Sequence, residues 1–149
     1  MSTKIFDNHG IQFQYPENWE LEEQADEQEV MLALQSPGTA FWSLTLYYER
    51  PDPVAIIDSA VEAYQEEYEE LDIYPLEGDL CQRETVGKEI EFVCLELVNK
   101  ATIQSFYTDR FTAVLLTQST DYEGEEILKV LEAVSASLAC DENQFDFFQ

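Results

Sequence analysis

Hydrophobic and polar residues alternate along the first third of the chain with the two-residue period of β-strands. Residues 11–15 alternate large apolar side chains with glutamines, and residues 28–35 place three apolar side chains on one side. Residues 40–48 form a run that is rich in aromatic and other strand-favouring residues. Because Ser36-Pro37-Gly38 interrupts the chain between the last two runs, the pattern predicts three separate strands.

The period then changes to that of an amphipathic helix. Asp52 and Pro53 form a helix-start signal, with Asp52 as the N-cap and Pro53 in the first turn. The apolar spacing that follows predicts a helix over about residues 53–70. Acidic residues after Asp121 mark the start of a second helix. The apolar faces of the two helices consist of Ile57, Val61, Tyr64, Tyr68 and Leu71, and of Ile127, Leu131, Val134 and Leu138.

Between the helices, apolar runs separated by turn residues predict an antiparallel meander. The expected strands cover roughly residues 80–86, 89–98, 101–108 and 111–118. Turns are expected at Gly78-Asp79, Gly87-Lys88, Asn99-Lys100 and Asp109-Arg110. Residues 92–95 and 113–116 are apolar on both faces of their strands, so helices are expected to cover both sides of the sheet.

These elements predict an α+β fold. It is a twisted antiparallel sheet of about six to seven strands, flanked by one mid-chain and one C-terminal helix as an α-β-α sandwich. At 149 residues the chain can bury one full core, and no linker or internal repeat divides it. We therefore expect a single α+β domain over residues 1–140, followed by an acidic, aromatic tail over residues 141–149.

The net charge changes the picture of what this domain can bind. The chain has 32 acidic and 7 basic residues, a formal net charge of −25, and the acidic excess is present in every third of the sequence. Such a surface repels nucleic acids and anionic membranes, whereas it attracts basic proteins and binds cations loosely. The alternative is that the charge only keeps the protein soluble.

The apolar runs and the cysteines of the sequence indicate the cellular location. The first eight residues contain no apolar signal core, and no later run approaches transmembrane length. The three cysteines, Cys81, Cys94 and Cys140, are an odd set without metal-binding spacing. We expect a cytoplasmic protein with reduced thiols, although a Cys81–Cys94 bridge stays open as an alternative.

A strand that ends in Tyr15-Pro16-Glu17-Asn18-Trp19 opens the order of elements described above. In this motif and order the chain resembles the PsbP-like superfamily of α-β-α sandwiches. That group includes an extrinsic subunit of photosystem II, a nuclear-transport factor that binds the GTPase Ran, and small bacterial relatives, some of which act as chaperones. The resemblance implies a non-enzymatic, partner-binding domain. The residues themselves favour a structural role for Tyr15 and Trp19, as core side chains behind the turn at Pro16.

The first predicted helix carries acidic residues with no basic residue between them. Two pairs of them, Glu62–Glu66 and Glu66–Glu70, are like charges four residues apart, which costs helix stability. Two interpretations remain open: a solvated acidic face, or a surface that docks a basic partner. The candidate partner-binding residues on this face are Asp58, Glu62, Glu66, Glu67 and Glu70.

The tail after the second helix places Phe145, Phe147 and Phe148 among acidic residues. In one interpretation Phe145 and Phe148 pack back onto the domain. In the other, the three phenylalanines are candidate partner-binding residues that dock onto another protein or onto a second copy, giving a homodimer.

Catalytic and metal-binding motifs are not found in the sequence. The carboxylates have no calcium-loop spacing, and the single histidine, His9, lies in a turn signature without a matching cysteine set. We expect no cofactor, no metal and no enzymatic activity. Our hypothesis is a non-catalytic adaptor or chaperone-like binder of a basic or apolar protein surface. The alternative is a small-ligand or cation-binding module with a pocket between sheet and helix, and a hydrolase using two carboxylates ranks third.

Overall fold

The structure is a computed structural model that describes residues 2–140. The candidate tail residues Phe145, Phe147 and Phe148 lie outside the described residues. The elements of the described part are β1 (Thr3–Asn8), β2 (Ile11–Pro16), β3 (Glu20–Ala25), β4 (Glu29–Gln35), β5 (Phe41–Tyr47), α1 (Pro53–Glu67), β6 (Leu71–Pro75), β7 (Gly78–Leu80), β8 (Arg83–Cys94), β9 (Leu97–Tyr107), β10 (Thr112–Thr120), a 3-10 helix (Asp121–Glu123), α2 (Gly124–Ser137) and β11 (Ala139–Cys140).

These strands form one large and one small antiparallel sheet, so the protein has the predicted α+β class with two helices. The large sheet has eight strands in the order β3-β4-β5-β10-β9-β8-β6, with β7 paired to β8. The small sheet has the order β1-β2-β11. Five strands were not predicted from the sequence, because they are short or carry no alternating apolar pattern: β1, β3, β6, β7 and β11. β3, for example, is an edge strand of mostly exposed polar residues.

The helix α1 covers one face of the large sheet over β8, β9 and β10. It begins as predicted, since the Asp52 carboxylate accepts a hydrogen bond from the Val54 amide at 3.1 Å. Its apolar side packs onto a cluster of fully buried residues that consists of Ile90, Phe92, Ala101 and Ile103 together with Ile57 of the helix itself. The helix ends at Glu67, three residues before the predicted end, because the next residue is extended.

The helix α2 and the small sheet cover the opposite face over β3, β4, β5 and β10. Phe13 of β2 packs against Trp42 of β5, with ring centroids 4.7 Å apart. The indole nitrogen of Trp42 donates a hydrogen bond to the Ser135 hydroxyl of α2 at 3.0 Å. Tyr15 and Trp19 are 8% and 6% exposed in this core, which confirms their predicted structural role.

The β8–β9 hairpin differs from the prediction in where it turns. Gly87 and Asn99 were assigned to turns, but both lie inside long strands, and the chain reverses at Leu95-Glu96 instead. A side chain at Gly87 would bring its Cβ to 2.8 Å from the Ile103 carbonyl oxygen. The glycine therefore allows close packing of two strands rather than a turn.

Candidate functional site

The two faces of the β8–β9 hairpin have different environments. In the middle of the hairpin, side chains that point towards α1 are buried, whereas those on the other face remain partly exposed, because α2 packs against β10 and β2 and leaves the strands beyond β10 uncovered. Strand alternation and register place one set of side chains together on this uncovered side. We call it the open face; it consists of Asp72, Tyr74, Glu89, Glu91, Val93, Val98, Lys100, Thr102 and Gln104.

Polar contacts organise the middle of the open face. Lys100 forms an ion pair with Glu89, at 3.3 Å between the ammonium nitrogen and a carboxylate oxygen. The Gln104 amide donates a hydrogen bond to the Thr85 hydroxyl at 3.1 Å, and the hydroxyl groups of Thr102 and Thr117 bond to each other. A sheet surface whose side chains are held by such contacts is preorganised.

A groove of about 350 Å³ runs between this polar floor and α2. Thr102 and Gln104 form part of its floor, Leu128 and Glu132 belong to the α2 wall, and Leu80 closes the far side. Its volume lies at the lower end of the range for small-ligand sites, which is about 300–1,000 Å³. The structure thus has a cavity between sheet and helix, the kind of place where the sequence-based alternative put a ligand.

Two further concavities continue the groove towards the hairpin tip. One of about 260 Å³ lies between Lys100 and the start of α2, and another of about 360 Å³ lies between β6 and β8. Glu91 and Val98 line both. The open face is therefore continuous from the groove to the tip of the hairpin.

The tip of the hairpin exposes a group of apolar side chains. Leu95 is 90% exposed, and its neighbours Val93, Leu97 and Val98 are 41%, 38% and 41% exposed. Leu95 and Glu96 both have positive φ, at 53° and 66°, a conformation that favours glycine or asparagine. The chain therefore accepts both backbone strain and exposure of a large apolar residue at this turn.

Carboxylates lie beside this apolar tip. Glu69, Glu70, Asp72 and Glu91 line the concavity next to Val93 and Val98. This charge acts on Tyr74, because the carboxylates of Asp72 and Glu91, with burial and Glu89 as smaller causes, raise the pKa of its hydroxyl above the usual 10.0. The hairpin tip is thus apolar at its centre and anionic on the side of this concavity.

The acidic residues singled out from the sequence lie in two places. Asp58, Glu62, Glu66 and Glu67 are exposed on α1. Glu70 is also exposed, but it lies in a bend after the helix, so its predicted pairing with Glu66 across a helical turn is not formed. Of this group, Glu70 lines the concavity beside the hairpin tip.

Sequence reasoning missed the hairpin tip itself. Leu95 and Leu97 were assigned to the interior of one strand over residues 89–98, because Leu95-Glu96 lacks turn chemistry. The signal that could have revealed the open face is the alternation of Glu89 and Glu91 with Ile90 and Phe92, which is typical of a strand with one wet face.

Among residues 2–140, no group of three or more histidine, cysteine, aspartate or glutamate side chains has a geometry that could hold a metal ion. No helix in the same part of the chain is long and apolar enough to cross a membrane.

The fold has counterparts among solved structures. A protein from Bacteroides thetaiotaomicron VPI-5482, known at 1.50 Å resolution, matches with a TM-score of 0.57 at 11% sequence identity. LpqN, involved in cell envelope biogenesis of Mycobacterium tuberculosis, matches with a TM-score of 0.52 at 9% identity. The alignments cover 94% and 93% of this chain, and 49% and 90% of the other chains, so the chain spans about half the length of the Bacteroides protein.

No family model and no curated protein sequence matches the chain. At identities this low, the structural likeness shows a shared fold alone. The function must therefore be argued from the site.

Proposed function

We propose that this chain is a non-catalytic protein-interaction domain, an adaptor or chaperone-like binder, of the PsbP-like α-β-α sandwich type. Its partner is a cytoplasmic protein segment that is both basic and apolar. The binding surface is the open face together with the hairpin tip, and Glu69 and Glu70 extend it towards α1. The observation that carries the proposal is the 90% exposure of Leu95 at a strained turn within an anionic surface.

Exposure and charge together favour this class of partner. Burying the four apolar side chains of the tip against another protein gains hydrophobic free energy, at about 25 cal/mol per Å² of apolar area. The surrounding carboxylates attract lysine and arginine side chains and disfavour acidic partners, which supplies orientation and specificity. An apolar anchor inside a polar rim is also the usual anatomy of a protein interface.

A matched pair of charge-reversal variants tests this proposal. The open-face variant carries Glu70→Lys, Asp72→Lys and Glu91→Lys, and the helix variant carries Asp58→Lys, Glu62→Lys and Glu66→Lys. Each replaces three negative charges by three positive ones, so their net charges are equal. The tagged proteins would be used for affinity capture at low and high salt, with the captured proteins identified by mass spectrometry.

We expect wild type and the helix variant to capture the same salt-sensitive basic partner, and the open-face variant to lose it. Loss in the helix variant alone would instead assign binding to the acidic face of α1. Retention by both variants would overturn a charge-guided interface.

A second candidate function is supported by the groove beside α2. Its partly apolar wall and polar floor suit a small, uncharged ligand with hydroxyl or amide groups, since Thr102 and Gln104 offer hydrogen bonds and Lys100 is already paired with Glu89. A thermal-shift screen of small polar metabolites, compared between wild type and Ala136→Trp, tests it. Ala136 lines the groove and is exposed, so the larger side chain should abolish any shift without unfolding the protein.

A further inference from the structure

Two cysteines that are 59 residues apart in sequence meet in the fold. Cys81 lies in the turn between β7 and β8, and Cys140 is the last residue of β11. Their Sγ atoms are 2.8 Å apart, and the Cys81 thiol also lies 3.8 Å from the Leu138 carbonyl oxygen. The sequence-based alternative had paired Cys81 with Cys94, and the fold instead brings Cys140 to it.

Each cysteine is held by its own backbone contacts. Cys81 has a φ of 54° in a two-residue turn that the Leu80–Arg83 pair closes. Cys140 is paired with Ile11 across β11 and β2. Both side chains pack against the same hydrophobic core, so the approach of the two sulfurs follows from the fold on both sides.

Cys94 is separated from this pair by the sheet. It packs with the cluster under α1, near Tyr68, whereas Cys81 and Cys140 pack with the cluster under α2. It therefore serves as an internal control for thiol reactivity.

We propose that Cys81 and Cys140 form a reversible disulfide by exchange with glutathione disulfide. One cysteine thiolate attacks a sulfur of glutathione disulfide, which forms a mixed disulfide and releases one glutathione thiolate. The second cysteine thiolate then displaces the bound glutathione, so the Cys81–Cys140 bond forms and a second glutathione leaves. The protein is oxidised by two electrons, glutathione disulfide is reduced to two thiols, and the two cysteine protons pass to solvent or to the leaving thiolates.

The bond would connect the two sheets of the molecule. It would attach β11, a strand of two residues, to the turn that follows β7. Leu80, which precedes Cys81, lines the groove beside α2, so oxidation would also fix one wall of that groove. The redox state would therefore change both the global stability of the protein and the attachment of β11.

Peptide mapping of the full-length protein tests the bond without any mutation. The protein is equilibrated in glutathione buffers from fully reducing to fully oxidising, alkylated and digested with trypsin without reduction. Arg83, Lys88, Lys100 and Lys129 place the three cysteines in separate peptides. We expect oxidising buffer to yield a cross-linked Cys81–Cys140 pair, an intact mass lower by two hydrogens, and alkylated Cys94. A Cys81–Cys94 bond, stable glutathione adducts on Cys81 and Cys140, or three alkylated cysteines at every ratio would each overturn the proposal.

Thermal unfolding of matched variants provides the second readout. Closing a loop of this length should raise Tm by roughly 5–10 °C in oxidising buffer relative to reducing buffer. Wild type and Cys94→Ser should both show the rise, whereas Cys140→Ser should show none. Equal Tm values for oxidised and reduced Cys94→Ser would contradict the inference.

Discussion

The two faces of the β8–β9 hairpin share one backbone but differ in what they contribute. Towards α1, Ile90, Phe92, Ala101 and Ile103 are at most 1% exposed. On the open face, the residues that alternate with them are mostly charged or polar and partly exposed. Because buried apolar area dominates folding free energy, the first face stabilises the fold. The second face contributes little to stability, so its residues can serve binding without a large cost in folding free energy.

Truncating adjacent residues on the two faces should give the largest difference, which is in the free energy of unfolding. Phe92 packs against the rings of Tyr68 and Tyr64, with centroids 4.3 Å and 5.3 Å away. Phe92→Ala should lower the free energy of unfolding by about 3–5 kcal/mol, because it leaves a cavity in a closed cluster. Val93→Ala, on the partly exposed side, should change it by less than about 1 kcal/mol.

Urea denaturation of both variants, followed by circular dichroism, measures this contrast. The wild-type m-value should be retained by Val93→Ala, which shows that the transition is the same. If Val93→Ala were as destabilising as Phe92→Ala, the two faces would not differ as we describe.

Repairing the strained turn should separate stability from binding. Replacing Leu95-Glu96 by Asn-Gly supplies the residues that positive φ favours, so the double variant Leu95→Asn, Glu96→Gly should be more stable by about 1 kcal/mol. The same change removes the apolar anchor, so affinity for a basic, apolar peptide should fall about tenfold, equivalent to about 1.4 kcal/mol.

The control for this prediction is Gln82→Gly. Gln82 has a φ of 63° in the turn between β7 and β8, so the glycine should also stabilise the protein. It should leave peptide affinity unchanged, as measured by calorimetric titration. If the double variant bound the peptide as tightly as wild type, the hairpin tip would be excluded from the proposed binding surface.

The pKa values of Tyr64, which lies in α1, and of Tyr74, on the open face, should respond differently to salt. This is the smallest effect we expect. Burial, with Tyr68 as a second cause, raises the pKa of Tyr64 of α1 to about 12, whereas carboxylates are the main cause of the raised pKa at exposed Tyr74. Raising salt from about 0.01 M to about 1 M shortens the Debye length from about 30 Å to about 3 Å. The pKa of Tyr74 should then move back towards 10.0, and that of Tyr64 should stay near 12.

Titration of ¹³C-labelled tyrosine by NMR distinguishes the two residues, with Tyr64→Phe and Tyr74→Phe for assignment. Since folding raises the pKa of Tyr64, its neutral hydroxyl contributes stability that is fully present below pH 10.0 and is lost as the pH rises through about 12. Tyr64→Phe should show a weaker loss of stability over that range. Equal salt responses of the two tyrosines would contradict the electrostatic difference between the faces.

Sequence reasoning predicted the covered parts of the molecule better than the open ones. The strands β2, β4 and β5 and the start of α1 were predicted because strong periodicity or a capping residue marks them. The apolar stripe of α2 is likewise confirmed, with Leu131 and Val134 buried. Such signals exist wherever one face of an element must be hidden from water.

The position of the candidate site in the fold could not be predicted from the sequence. An acidic binding surface was expected, and the hairpin tip was not, because Leu95-Glu96 has none of the residues that normally mark a turn. The open face also depends on strand order. No local sequence pattern predicts that β6 pairs with β8, or that α2 covers the sheet only as far as β10.

The most direct test of the interface is an amide NMR titration of the ¹⁵N-labelled protein with an amphipathic leucine–lysine peptide. A peptide of the same pattern with glutamate in place of lysine serves as the control. We expect shift changes to be concentrated at residues 71–74 and 89–102, to vanish at high salt, and to be absent with the control peptide. Shift changes centred on α1, or none at any salt concentration, would contradict the assignment of binding to the open face.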